Sequence, residues 1–481
     1  MSLIDLKRRS FLGVMAGCLA GCTFSKEATL NAVDLNPADA WAQKWSLAWD
    51  SAADILRSTK APTFAPQTFS VMSFGAKADG VFDNTRIFAR AISACHNAGG
   101  GKVVVPAGNF FTGPIHLLSN VNLHLDEGAQ LLFSTNPNDY LPVVFTRWEG
   151  MELMGYSPLV YAYQQENIAL TGKGTLNGQA NELNWWPWKG GEKWAKPGVA
   201  TQANARRQLE MDVEKNRPVS ERVYAENSQL RPAFVQLYQC KNILIEDVTI
   251  TNAPFWLLHP VLSENVIIRG VTCDSLGPNS DGCDPESCKN VIIENCYFDT
   301  GDDCIAIKSG RNADGRRIAV ASENIVIRDC KMRSGHGGIV IGSEISGGAR
   351  NIFAENCEMS SPDLERGLRI KTNSVRGGTV ENIYVRNINI GEVQTAIVID
   401  FNYEEGDSGV NTPYVKNIDV RDLRCKNAKQ VFNVRGYKRS PITNLHLSDA
   451  QFEKAEDVGI IEFVDSFVAK NVTIQGKPFS I

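Results

Sequence analysis

Between residues 120 and 472 a tag recurs in which an asparagine, followed at once by valine, isoleucine or leucine, opens a short run that alternates apolar with polar residues. The tags are Asn120, Asn167, Asn242, Asn265, Asn290, Asn324, Asn351, Asn382, Asn417, Asn444 and Asn471. From Asn242 the intervals are 23, 25, 34, 27, 31, 35, 27 and 27 residues. A unit of this length built of short strands cannot bury its apolar face alone and becomes stable only by stacking on its neighbours. Helical repeats do not fit, because each alternating run is soon closed by Gly, Asn, Asp or Ser. The chain is therefore expected to be all-β, a right-handed single-stranded parallel β-helix with one coil per tag.

The cysteines keep this register. Cys296, Cys330 and Cys357 each stand six residues after their tag, and Cys240 and Cys288 each two residues before theirs. Such repetition is expected of inward-facing stacks of small apolar side chains, so the thiols are read as buried and unbridged. The repeat has a preface and a gap. Asp39 to Ser58 carries Trp41, Trp45 and Trp49 at four-residue spacing, the face of an amphipathic helix whose tryptophans are expected to pack on a neighbour. Arg86 to Asn97 reads as a helix with Asp83 or Asn84 as its cap. Residues 184–231 form an excursion with Trp185, Trp186, Trp188 and Trp194 and a charged stretch, Gln202 to Glu226, expected to be helical. Its aromatics fit either a sugar cleft or the coil wall. The expected division is 1–22 export signal, 23–66 linker and helix, and 67–481 β-helix.

The amino end reads Lys7-Arg8-Arg9-Ser10-Phe11-Leu12, then a short apolar stretch, then Leu19-Ala20-Gly21-Cys22. A basic start, a short apolar run and small residues before a cut are the layout of an export signal. The paired arginines resemble a twin-arginine signal, and Leu-Ala-Gly-Cys resembles a bacterial lipoprotein box with Cys22 carrying the lipid. An exported protein is expected, periplasmic or tethered at the cell envelope through Cys22, and monomeric. A formal net charge of -5 argues against nucleic acid as a partner, yet a local cluster of cations can still hold an anionic ligand.

Candidate chemistry lies in four consecutive coils. Asp281 follows its tag by 16 residues, Asp302 and Asp303 follow theirs by 12 and 13, and His336 by 12. Arg369 and Lys371 follow by 18 and 20 and share one strand face. Neighbouring coils are separated by the ordinary interstrand spacing of about 4.8 Å, so these six residues form a strip about 15 Å long. Hydrolysis of a glycosidic bond needs one carboxyl to protonate the leaving oxygen and another carboxylate to activate water or attack. Crowded carboxylates raise the pKa of at least one of them. The adjoining cations suit a polymer of negatively charged units. A metal is a further reading of three aspartates, but no hard-cation loop spacing is present.

Asn279-Ser280-Asp281, Gly301-Asp302-Asp303, Gly335-His336-Gly337 and Arg369-Ile370-Lys371 resemble, in order, the four signature segments of glycoside hydrolase family 28, the polygalacturonases of the pectin-lyase-like superfamily. The resemblance extends from Phe69 to the C-terminus, with Ser280 where threonine is usual. It implies inverting hydrolysis of α-1,4-linked galacturonic acid in pectic polymers or oligogalacturonides, with no metal or cofactor. Asp302 would be the general acid, Asp281 and Asp303 would orient the attacking water, and His336 would support protonation of the acid. Arg369 and Lys371 would grip a galacturonate carboxylate, with Asn279 and Tyr403 also at the substrate. Exo action is favoured, the tryptophan-rich excursion closing one end of the cleft. The alternatives are endo action, a rhamnogalacturonan or xylogalacturonan substrate, a pectate lyase, or a surface β-helix that only binds carbohydrate.

Overall fold

A computed structural model describes residues 37–480. The export segment, with Lys7 to Leu12 and Cys22, lies outside the described residues, as does the side chain of Trp41. Twenty-six strands form one continuous sheet that winds as a parallel β-helix, parallel except for a closing hairpin between Val472–Ile474 and Lys477–Phe479. The register runs coil on coil: Val266 lies beside Val291, Val291 beside Ile325, Ile325 beside Ile352, and Ile352 beside Ile383. These columns are buried, and burial of stacked β-branched side chains at about 25 cal/mol per Å² is what makes one coil stabilise the next. Towards the C-terminus the separate strands of a coil merge into continuous ones, Thr379–Asp400 and Tyr414–Arg435.

The tag asparagines have a structural reason. Each adopts a left-handed backbone, with φ between 54° at Asn167 and 65° at Asn120 for the ten from Asn120 to Asn444. Asparagine tolerates this corner better than most residues. Its side chain then bonds along the stack: the Asn324 amide donates to Asn290 at 3.1 Å, and the Asn351 amide donates to Asn324 at 3.1 Å. The ladder continues from Asn120 through Asn444.

Asn471 does not belong to it. Asn444 lies one residue beyond Thr443, whose partner is Asp465, so the next corner falls at Ser466, with φ 65°. Asn471 instead donates to Asp449 in a second corner ladder, five residues on, which also contains Asn356 and Asn387. The last interval of 27 is thus 22 plus 5, a step between corners rather than a repeat.

The ten described cysteines are free and buried. The helix spans Pro37–Ser58, and Trp45 and Trp49 pack edge-on against Tyr384 and Phe353 on the coil wall. Arg421 and Arg386, from strands of the same wall, lie over these rings at 3.8 and 3.6 Å, so Trp45 and Trp49 form a packing surface. The second helix, Thr85–Asn97, begins after Asn84, but Asp83 accepts the Thr85 amide. In the excursion, helix covers only Ala203–Glu214 of the expected Gln202 to Glu226. Asn216, with φ 51°, and Pro218 stop it. Trp185 is buried against Tyr140 and Trp188, and Trp186 donates to the Ala253 carbonyl and lies against Gly277. These two tryptophans pack on the coils.

Candidate active site

One core column fixes the site: Cys283, Ile305, Ile339, Leu368 and Ile397 are successive neighbours. Asp281 and Asp303 stand two residues before Cys283 and Ile305, while Asp302 and His336 stand three before Ile305 and Ile339. The carboxylates therefore emerge from turns entering the strands. Arg369 and Lys371 stand one and three residues beyond Leu368 and reach back across the intervening coil. That coil carries Gly337, where an added Cβ would sit 3.2 Å from an Asp303 oxygen and 3.4 Å from Arg369 Cδ. At Gly335, φ is 147° and a Cβ would meet the Asp302 carbonyl at 2.3 Å. Gly337 is thus required by close approach, and Gly335 both by close approach and by its backbone conformation.

One carboxylate oxygen each from Asp281, Asp302 and Asp303 lies within 4.8 Å of the others. The backbone around them is held firmly: Leu257 N donates to the Asp281 carbonyl, Gly282 N to that of Asp303, and His336 N to that of Asp302. His336 Nδ1 meets Asp302 Oδ1 at 3.0 Å. Burial tends to raise the Asp302 carboxyl, but the bond and charge of His336, with Lys371 and Lys308 behind, hold it below its ordinary range. Its hydrogen bond and negative charge push His336 up to about 9. The pair thus shares one proton, stored on the imidazole, and titrates as a unit.

Crowding raises a different group. Asp281 is buried, and burial, then Asp284 and Asp302, lift its carboxyl well above the usual range. Asp303 is buried between the cations, 2.7 Å from Lys371 Nζ and 3.3 Å from an Arg369 nitrogen. The Tyr403 ring lies 5.3 Å from the Arg369 guanidinium and 5.1 Å from Lys371 Nζ. An ammonium has three donors and a guanidinium five, so both cations keep N–H groups beyond those spent on Asp303. Asn279, with φ 54°, accepts from the buried Arg231 at 2.7 Å. The structure thus gathers Asp281, Asp302, Asp303, His336, Arg369, Lys371 and Tyr403 at one place, and ties Asn279 to the wall beside it. As for the metal reading, ammonium groups already stand against two of the three carboxylates, Lys308 at Asp281 and Lys371 at Asp303.

Sequence reading overlooked four groups. Lys308 and Asp284 share the site with Asp281, Glu344 contacts Lys308, and Arg231 holds Asn279. Strand parity was the available signal for Lys308, because Ile305-Ala306-Ile307-Lys308 has the pattern of Leu368-Arg369-Ile370-Lys371.

The family model described as glycosyl hydrolases family 28 matches residues 95–472. The chain belongs to this family. It is a glycoside hydrolase, and its fold is that of the family's pectin-lyase-like β-helices. Among curated relatives, a probable polygalacturonase of Vitis vinifera is 30% identical over 402 residues, covering 80% of this chain and 74% of the relative. An exo-poly-alpha-D-galacturonosidase of Dickeya chrysanthemi is 27% identical over 471 residues, covering 87% and 76%. Among solved structures, a hyperthermoactive exopolygalacturonase from Thermotoga maritima is 44% identical with a TM-score of 0.87, over 90% of this chain and 97% of that one.

Proposed function

We propose that this hydrolase cleaves α-1,4-galacturonosyl linkages of polygalacturonate from chain ends, with inversion. The observation that carries the reading is the joining of acid/base carboxylates and spare cationic donors in one cluster, Asp303 being bound by Lys371 and Arg369. Asp302 gives its proton to the glycosidic oxygen as the C1–O bond breaks, and His336 keeps that proton available within the pair. A water between Asp281 and Asp303 attacks C1, and Asp281 takes its proton. Lys371, Arg369 and Tyr403 hold a galacturonate carboxylate next to the scissile bond, and Asn279 borders the substrate. The identity to an exopolygalacturonase supports both the substrate and the mode of attack.

Exo action has a further support in the excursion. Its helix Ala203–Glu214 is fastened by Arg206 to Glu149 at 2.8 Å and by Glu210 to Arg311 at 3.1 Å. Arg311 in turn contacts Glu344, which touches Lys308 beside Asp281. An ordered wall on one side of the site is what chain-end attack requires. The test is product size over time on defined oligogalacturonides. Monomer alone from the outset is expected; early mixtures of longer products would establish endo action, and unsaturated ends would make the enzyme a lyase. Export, lipidation at Cys22 and a monomeric state complete the proposal, checked by fractionation, by mass spectrometry of the mature amino terminus, and by light scattering.

A further inference from the structure

Lys308 is a buried ammonium that none of the four signature segments includes. It lies 3.5 Å from Asp281 Oδ2, 3.5 Å from Asp284 Oδ1 and 3.2 Å from Glu344 Oε2, with the Trp256 ring 4.4 Å away. Both carboxyl oxygens of Asp284 are buried, and its carboxyl meets that of Asp281 as well as Lys308. Glu344 divides its two oxygens: Oε2 takes Lys308 and Oε1 takes Arg311 at 3.4 Å. The column explains the placement, since Glu286 lies beside Lys308, and one coil on the same strand position falls at Gly342, which has no side chain to fill it.

The geometry points to Lys308 and Glu344 as positioning residues for Asp281: the ammonium, aimed and partly neutralised by Glu344, keeps Asp281 a carboxylate able to take the proton of the attacking water. This rests on the hydrolase reading above. Two carboxylates buried side by side cannot both ionise without a compensating charge. Asp281 faces Asp284 on its own coil, Asp302 and Asp303 from the next, and Lys308. Lys308 faces Glu344, Asp281, Asp284 and Asp303, and its charge also acts on His259 and Lys371. Burial alone would discharge the lysine, but these carboxylates hold its pKa well above the ordinary value, so it is a permanent cation. The opposing charge of Glu344 means that the two residues push Asp281 in opposite directions.

That opposition gives a test that a merely structural role does not meet. In the pH profile of kcat/KM, which reports the free enzyme, Lys308→Met is expected to move the acid limb to higher pH, and Glu344→Gln to lower pH. At the acid side kcat of Lys308→Met falls about tenfold or more while KM changes less than about twofold, and Lys308→Arg restores most of it. Loss of activity in both variants with an unmoved acid limb would overturn the assignment. Should Lys308→Met fail to fold, Glu344→Gln decides alone, an unmoved or upward limb counting against it. A wild type that releases no reducing ends from any galacturonan refutes the hydrolase reading instead. The positioning role is then read by 13C NMR titration of the aspartate carboxyls, with Asp281→Asn as the assignment control: opposite displacements in the two variants support it, and coincident titrations reject it.

Discussion

The corner with the asparagine ladder and the edge with the carboxylates are built on the same stacked coils, yet they use stacking in opposite ways. At the corner the same neutral side chain recurs, and each amide satisfies the one before it, as Asn324 does Asn290. At the active edge aspartate recurs once and then gives way to glycine and arginine. Asp281, Asp303, Gly337 and Arg366 occupy one position in four coils, so charges meet across coils without being matched within them. Repetition gives the fold its rigidity, and departure from repetition on that frame brings ionisable groups together. The difference separates stability from turnover, and substitutions on the two sides are expected to separate them as well.

The largest effect belongs to the edge. Asp302→Asn removes the acid and is expected to lower kcat by about a thousandfold or more with the unfolding transition nearly unchanged, measured by reducing-end release and by denaturant melts. His336→Ala comes next, with a loss of about a hundredfold. Without the imidazole that stores the proton, Asp302 keeps only burial against Lys371 and Lys308, so the remaining activity should shift to lower pH. In the wild type, activity should decline as pH rises through about 9, where His336 releases the shared proton. Lys371→Ala is expected to raise KM for galacturonate substrates, and an unchanged KM would remove the carboxylate clamp.

The corner should show the reverse pattern. Asn324→Ala loses two ladder bonds, each contributing about 1 kcal/mol, and places a Cβ without a local hydrogen bond in a left-handed corner. A loss of about 2–4 kcal/mol in urea unfolding is expected, with kcat nearly intact. Asn324→Gly should cost less, since glycine accepts the corner conformation.

These contrasts also explain what could be read in the chain beforehand. The coil register and the cysteine columns were legible because one corner geometry imposes one residue type again and again. Asn471 misled for the same reason: two left-handed corners five residues apart both favour asparagine, and spacing alone cannot tell them apart. At the edge, Asp281, Asp302, Asp303, His336, Arg369 and Lys371 were legible as short segments whose glycines keep the backbones close. Lys308, Glu344 and Arg231 were not, because their partners lie on other coils: Glu344 reaches Lys308 across 36 residues and Arg231 reaches Asn279 across 48. Nor did crowding alone say which carboxylate it raises. The His336 contact lowers Asp302, and the buried neighbours Asp281 and Asp284 are left with the upward shift.

In the proposed mechanism Asp302 protonates the leaving oxygen while Asp281 and Asp303 direct a water. A separation of at most 4.8 Å is shorter than the roughly 6.5–9.5 Å common among inverting glycosidases, so the stereochemical course is the sharpest measurement. In proton NMR of trigalacturonate digestion, followed from the first turnover, the account predicts that newly released sugar appears as the β-anomer and only later mutarotates. Initial release of the α-anomer would contradict it, making one of these aspartates a nucleophile instead.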